Sequence, residues 1–224
     1  MRNRGRLLAT GAALLASLWL AGAANALPAG DYNLGTVNSH TEFTAGNGLL
    51  EFSNFQFYFG GADKSAFTLS ILDDGIRLTG PTSVMDGADK EYYFTYEVSV
   101  LPGVPGIIGT ALFAPSEIVG EDCPPYVKTG KNVYAGPTPE FFGHALVSLE
   151  TYNYSGLYSE LDTATFAPQS QITVLDGIQL ATDGPGEMAT LISISNTFTV
   201  IPEPATFGLL GFGLLGLGVV GRRR

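Results

Sequence analysis

The stretch Tyr92-Tyr93-Phe94-Thr95-Tyr96-Glu97-Val98-Ser99-Val100 alternates without a fault. Residues 92, 94, 96, 98 and 100 are apolar or aromatic, and Tyr93, Thr95, Glu97 and Ser99 point the other way. Successive side chains of a strand face opposite sides, so this is the pattern of an antiparallel strand with one face on a core and one toward water. A helix repeats every 3.6 residues and would smear such a pattern around its circumference. The chain must therefore build a sheet that buries a single face.

Other stretches obey the same rule. Residues 188–200 place Met188, Ile192, Ile194, Phe198 and Val200 on one face and Ser193, Ser195, Thr197 and Thr199 opposite. Residues 49–59 run in two phases, with Leu50 and Phe52 setting one and Phe55, Phe57 and Phe59 the other. A bulge at Ser53-Asn54 reconciles them, because one extra residue flips the alternation. Further strands are predicted at 66–72, 76–79, 107–113, 144–152 and 171–175, punctuated by glycine and proline. No amphipathic helix is evident between residues 30 and 200.

Two segments echo each other: Leu69-Ser70-Ile71-Leu72-Asp73-Asp74-Gly75-Ile76 and Ile172-Thr173-Val174-Leu175-Asp176-Gly177-Ile178. Asp176-Gly177 suits a two-residue hairpin turn, and Asp73-Asp74-Gly75 a three-residue loop with Gly75 left-handed. Shared turn chemistry accounts for the echo without duplication. The proline-rich stretch 115–139 reads as a long surface loop. Residues 27–200 thus form one domain's worth of chain, expected to be all-β: an antiparallel β-sandwich, jelly-roll-like in architecture.

The two ends are of another kind. Arg2, Arg4 and Arg6 precede an apolar run from Leu7 to Leu20, and Ala24-Asn25-Ala26 supplies a small-x-small cleavage site. Residues 1–26 therefore read as a signal peptide, with Leu27 the new N-terminus. The arginines are never adjacent, which favours the Sec export machinery over the twin-arginine route. At the other end, residues 201–224 combine Pro202-Glu203-Pro204, an uncharged run over 205–221, and Arg222-Arg223-Arg224. As a helix the run reaches roughly 26 Å, at the short limit for crossing a hydrocarbon core of about 30 Å. The arginines should stay cytoplasmic, leaving all that precedes Pro202 outside. Gly211-Phe212-Gly213-Leu214-Leu215-Gly216 has the form of a dinucleotide-binding loop, but it lies inside the apolar run and follows no strand.

This tail resembles the PEP-CTERM sorting signal of Gram-negative, exopolysaccharide-producing bacteria, also catalogued as an ice-binding protein C-terminal domain. Pro202, Glu203 and Pro204 match the family tripeptide, 205–221 its transmembrane helix, and Arg222, Arg223 and Arg224 its basic stop. The resemblance covers about a tenth of the chain and implies an exosortase partner, a cysteine transpeptidase-like enzyme of the inner membrane that cuts near the tripeptide. It implies an inner-membrane-anchored intermediate and then a cell-surface or extracellular-matrix protein, with exopolysaccharide a candidate partner. Residues 49–60, with Phe52-Ser53-Asn54-Phe55, and the strand over 89–100 also look like the bodies of other PEP-CTERM proteins.

Composition narrows what the body can meet. All 21 acidic residues lie between Asp31 and Glu203, against Lys64, Arg77, Lys90, Lys128 and Lys131, a net charge of −16 over residues 27–204. Such a surface repels nucleic acid and keeps an exported protein soluble. Cys123, in Glu121-Asp122-Cys123-Pro124-Pro125, is the only cysteine, so no internal disulfide exists.

Catalysis needs converging groups, and few are available. His40 and His144 are the only histidines. No zinc-binding, nucleophile-elbow or phosphate-loop motif appears, so no catalytic residue, metal or cofactor is expected. The enzyme reading to weigh is glycoside hydrolysis, which would pair Glu97 and Glu150 across one sheet face. The alternative to a purely structural body is carbohydrate binding or processing. Its candidate glycan contacts are Tyr152, Tyr154 and Tyr158, beside Asn153, because an aromatic ring with a polar handle suits an amphipathic partner. Asp86-Gly87-Ala88-Asp89 could offer oxygens to calcium, but no stretch completes a calcium-loop spacing.

Overall fold

The computed structural model describes residues 26–120, 125–137, 144–154 and 157–201. The sorting tripeptide, the apolar run 205–221, the terminal arginines, Ala24 and Cys123 lie outside them. The alternating stretches become strands, 188–200 as two of them. In chain order these begin with β1 (Gly30–Asn33), β2 (Phe43–Thr44), β3 (Leu50–Tyr58), β4 (Thr68–Ile71), β5 (Gly75–Thr79) and β6 (Ser83–Met85). There follow β7 (Asp89–Val100), β8 (Ile107–Phe113), β9 (Ser116–Val119), β10 (Tyr126–Ala135) and β11 (Val147–Tyr154). The last are β12 (Leu157–Ser159), β13 (Leu161–Gln169), β14 (Gln171–Ala181), β15 (Met188–Leu191) and β16 (Ile194–Val200). The helical content among the described residues is two single 3-10 turns, Leu34–Thr36 and Lys64–Ala66.

A seven-stranded sheet, β12-β11-β10-β14-β7-β3-β2, faces a six-stranded sheet, β1-β4-β5-β16-β8-β13, and β6-β15-β9 make a small third sheet. Every pairing between these strands is antiparallel. The chain is thus an antiparallel β-sandwich around one core. Aromatic rings fill much of that core. Phe52 on β3 and Tyr96 on β7 meet Phe198 of the opposite sheet at 6.0 and 6.4 Å between centroids, and Phe59 stacks on Phe67 at 4.5 Å. Each such ring, buried to 5% exposure or less, contributes about 1.5–3 kcal/mol relative to an exposed one.

The phase change in β3 is a bulge. Its register against β7 shifts between Ser53 and Gln56, and Asn54 adopts φ 52°. Asparagine tolerates that left-handed conformation better than most residues. The shift brings Phe52, Phe55 and Phe57 onto the core side.

Four expectations are corrected. The stretch 115–139 is not one long loop, since it contains β9 and most of its second half is β10. The inward positions of β10 are Val127, Thr129, Lys131 and Val133, and a buried lysine and threonine hide the alternation from a hydropathy reading. Asp176-Gly177 is no turn; both lie mid-strand in β14, with Asp176 facing the core. The Asp73-Asp74 hairpin forms, closed by the Leu72 N–H donating to the Gly75 carbonyl at 2.8 Å, yet Gly75 is a strand residue without positive φ. Finally, 188–200 is two strands in different sheets. The break between them turns Ile192 outward to 48% exposure, and the inward residues of β16 are Ile194, Asn196 and Phe198.

Candidate functional site

The outer face of the seven-stranded sheet follows from strand parity. With Val127, Thr129, Lys131 and Val133 of β10 turned inward, Tyr126, Lys128, Asn132 and Tyr134 must face out. Register then sets Lys128 opposite Tyr152 of β11, and Tyr154 opposite Leu157 of β12. By the same parity Tyr93 of β7 and its partner Tyr58 of β3 face out. Six of the chain's ten tyrosines (Tyr58, Tyr93, Tyr126, Tyr134, Tyr152 and Tyr154) therefore line one face.

Part of this face is a shallow recess of about 500 Å³ lined by Tyr126, Lys128, Glu150, Tyr152, Tyr154 and Leu157. The Tyr152 and Tyr154 rings meet edge to face at 6.4 Å. Lys128 Nζ lies 2.9 Å from Glu150 Oε2, both half-exposed, so the pair adds little stability and offers a polar rim. Leu157 and Tyr154 are exposed at 51% and 44%, apolar surface that nothing among the described residues covers. A second aromatic spot lies across the sheet, where Tyr58 and Tyr93 sit 6.4 Å apart. Glycine at 177 lets the Tyr93 ring lie across β14, since a Cβ there would come within 3.2 Å of it. Burial, then the hydrogen bond that Tyr93 donates to Glu91, raises the Tyr93 phenol above its ordinary pKa.

Tyr158 is not part of the recess. It pairs with Asn153, so its side chain belongs to the opposite face from Tyr152 and Tyr154. There its hydroxyl donates to Glu160 Oε2 at 2.5 Å, which raises its pKa. Ala26 is half-buried, and Leu27 is already tied to the body, its N–H donating to Glu42 and its carbonyl accepting from Thr44, both at 2.8 Å.

Glu97 and Glu150 do share the outer face, but as a hydrolytic pair they fail on distance. Glu150 stands opposite Gly130, Gly130 opposite Gly177, and Gly177 opposite Tyr93, four residues along β7 from Glu97. Three strand spacings and four residue rises separate them by about 20 Å, against about 5–10 Å for paired glycosidic carboxylates. Glu97 instead accepts hydrogen bonds from Asn54 Nδ2 at 2.9 Å and Gln171 Nε2 at 3.0 Å, bracing the bulge. Asp86 likewise serves its turn, accepting from the Gly186 N–H at 2.8 Å. Among the described residues no three His, Cys, Asp or Glu side chains converge as a metal site.

Inside the sandwich lies a second polar cluster, with no signal in the sequence beyond a lysine and an aspartate at apolar positions. Lys131, Asp176 and Asn196 are each 0% exposed. Asn196 Nδ2 donates to Asp176 Oδ2 at 2.7 Å across the two sheets. Lys131 Nζ donates to Thr110 Oγ1 and, at 3.3 Å, to the Ala111 carbonyl, and lies 4.3 Å from the Phe198 ring centroid. Asp176 Oδ1, Asn196 Oδ1 and Tyr96 Oη find no hydrogen-bond partner among the described residues. Burial pushes the Asp176 carboxyl up and the Lys131 amine down, in both cases toward the neutral form, and raises the Tyr96 phenol.

Residues 200–224 match the PEP-CTERM protein-sorting motif, which implies export, exosortase handling and a membrane-anchored stage of transit. No curated protein sequence matches the chain. Among solved structures, TmCBM61 in complex with beta-1,4-galactotriose is similar at 12% identity and TM-score 0.29, over 66% of this chain and 88% of that one. A CBM4 structure is similar at 13% and 0.28, over 76% and 92%. Endoglucanase 3 of Trichoderma harzianum, from family GH12, is similar at 9% and 0.24, over 66% and 98%. At such scores none of them bears on what this chain binds.

Proposed function

We propose that this chain, whose C-terminus carries a PEP-CTERM sorting motif, is a non-catalytic protein of the cell surface or exopolysaccharide matrix. In this reading Sec delivers the β-sandwich across the inner membrane, the apolar run over 205–221 and Arg222–Arg224 hold it there, and exosortase cuts near Pro202-Glu203-Pro204. The observation that carries it is the succession of tripeptide, apolar run and basic end after a body, residues 27–200, of net charge −15. Mass spectrometry of the exported protein's C-terminus tests it. A mature chain lacking residues 205–224 is expected. A full-length chain ending in three arginines, in a host with the cutting enzyme, would overturn it.

A second reading is favoured by one feature of the geometry: the body binds polysaccharide in the recess of Tyr126, Tyr152 and Tyr154. Aromatic faces pack against the C–H surface of a sugar ring while the phenols and the Lys128–Glu150 rim meet its hydroxyls. Among the described residues of this sheet face only Lys128 offsets Glu51, Glu91, Glu97 and Glu150, so a neutral glycan suits it better than an acidic one. Affinity electrophoresis of the folded protein through gels containing the host's own polysaccharide tests this. Retardation is expected, and unretarded migration retires it.

A further inference from the structure

We propose that Lys131 and Asn196 become joined side chain to side chain by an amide bond that the folded sandwich forms by itself, with Asp176 moving the protons. The three residues come from three strands and meet only in the folded core. Lys131 on β10 stands directly opposite Asp176 on β14, so their side chains leave neighbouring strands on the same inward face. Asn196 projects from β16 of the opposite sheet and is held by Asp176 through its amide nitrogen. The Lys131 side chain crosses the sandwich, and its Nζ stops at Thr110 and Ala111 of β8. Thr110 pairs with Phe198, and Leu112 with Asn196, so the amine lies one inward position along β16 from the Asn196 amide. Diagonal neighbours on paired strands are about 7–8 Å apart at Cα and closer at Cβ, a step that rotation about the four-carbon lysine stem covers.

An ordinary buried ion pair does not describe this arrangement. Lys131 Nζ is not within salt-bridge distance of Asp176; among the described residues that contact belongs to Lys128 and Glu150 at the surface. The amine instead faces a threonine hydroxyl, a carbonyl and a phenylalanine ring, while Asp176 Oδ1, Asn196 Oδ1 and Tyr96 Oη in the same core lack partners among the described residues. Leaving buried polar groups unpaired is costly, and covalent joining turns the buried amine, which costs most when charged, into a neutral amide. The direction in which burial moves Lys131 and Asp176 supplies the two forms needed, a neutral amine and a protonated acid.

The step balances without any added reagent. The Nζ lone pair attacks Cγ of Asn196, forming the C–N bond, and the carbonyl electron pair moves to Oδ1, which takes the Asp176 proton. Asp176 then removes a proton from Nζ. As the carbonyl reforms, the Cγ–Nδ2 bond breaks and Nδ2 leaves as ammonia with a proton returned through Asp176. One primary amine and one primary carboxamide give one secondary amide and one ammonia. Tyr96, next to Asn196 and Asp176, is placed to donate to the developing oxyanion. The product ties β10 of one sheet to β16 of the other. It would give a chain with a single cysteine the cross-link that it cannot make from sulfur.

Peptide mapping of the purified full chain by mass spectrometry tests the assignment and does not depend on glycan binding. The expected result is a branched peptide joining the Lys131 and Asn196 segments, lighter than their sum as linear peptides by one ammonia, with no tryptic cut after Lys131. Linear peptides carrying unmodified Lys131 and Asn196 in the folded wild-type protein would overturn it. So would a branch to Asp176 with loss of water. Asp176→Asn, checked for native circular dichroism, should leave both peptides linear, and a branch that persists there would overturn the role of Asp176.

Discussion

The backbone carbonyl oxygen of Asn196 occupies the place where a side chain on Gly75 would begin: a Cβ there would collide with it. Gly75 opens β5 and pairs with Thr197 of β16, so the two backbones press together where Asn196 turns toward Asp176. Glycine is required here for close approach, not for a left-handed φ.

Gly75→Ala should therefore force β5 from β16 and lower stability by about 1–3 kcal/mol. Thermal unfolding followed by circular dichroism reads this as a melting temperature lower by several degrees. An unchanged transition would mean that β5 and β16 separate freely.

Asn54 holds φ 52° at the bulge, and its side chain donates to Glu97. Asn54→Gly should cost little more than that hydrogen bond, about 1 kcal/mol. Asn54→Val adds a β-branched residue in a conformation that it avoids and should cost about 1–3 kcal/mol more. Urea unfolding of the two variants checks the order, and equal stabilities would remove the strain argument.

The glycan recess makes a face-specific prediction. Tyr152→Ala or Tyr154→Ala should each weaken polysaccharide binding about tenfold, near 1.4 kcal/mol, with the melting temperature within about 2 °C of wild type. Tyr158→Ala, on the other face, should bind as wild type does. Equal losses for all three would mean that binding follows sequence proximity rather than the recess.

The buried carboxyl predicts a pH dependence. Asp176 is raised from 3.8 to about 7 in the fold, so the folded chain keeps a proton that the unfolded chain releases. Its contribution is complete below the unfolded value and is lost as pH rises toward about 7. Lys131, lowered from 10.5 to about 7, acts in the opposite sense at higher pH while its amine is free. Tyr96, the other titratable group facing Asp176, is pushed up and stays neutral throughout this range. Each pKa unit is worth about 1.4 kcal/mol. Chemical unfolding should therefore show wild type losing stability between about pH 4 and pH 7, with a shallower slope in Asp176→Asn. Parallel slopes would mean that Asp176 is charged in the fold.

Parity was legible wherever an inward face is apolar: Tyr92, Phe94, Tyr96 and Val98 declared β7, and the doubled phase of 49–59 declared the bulge. It failed where the inward residue is polar. Thr129 and Lys131 concealed β10, and Asp176-Gly177 resembled a turn because those residues usually make one. Tyr152 and Tyr154, two apart on one strand, were legible as neighbours. Tyr126 and Lys128 were not, because they join the recess only when β10 pairs with β11.

A strand-built body, its acidity and the sorting motif over 200–224 could all be read from the residues in order. Those properties follow from local periodicity, composition and a contiguous motif. Which tyrosines share a face, and that Lys131, Asp176 and Asn196 meet, came from the folded arrangement alone. Strand pairing and sheet stacking set those neighbours across 20 residues of chain and more, where no periodicity in the sequence reaches.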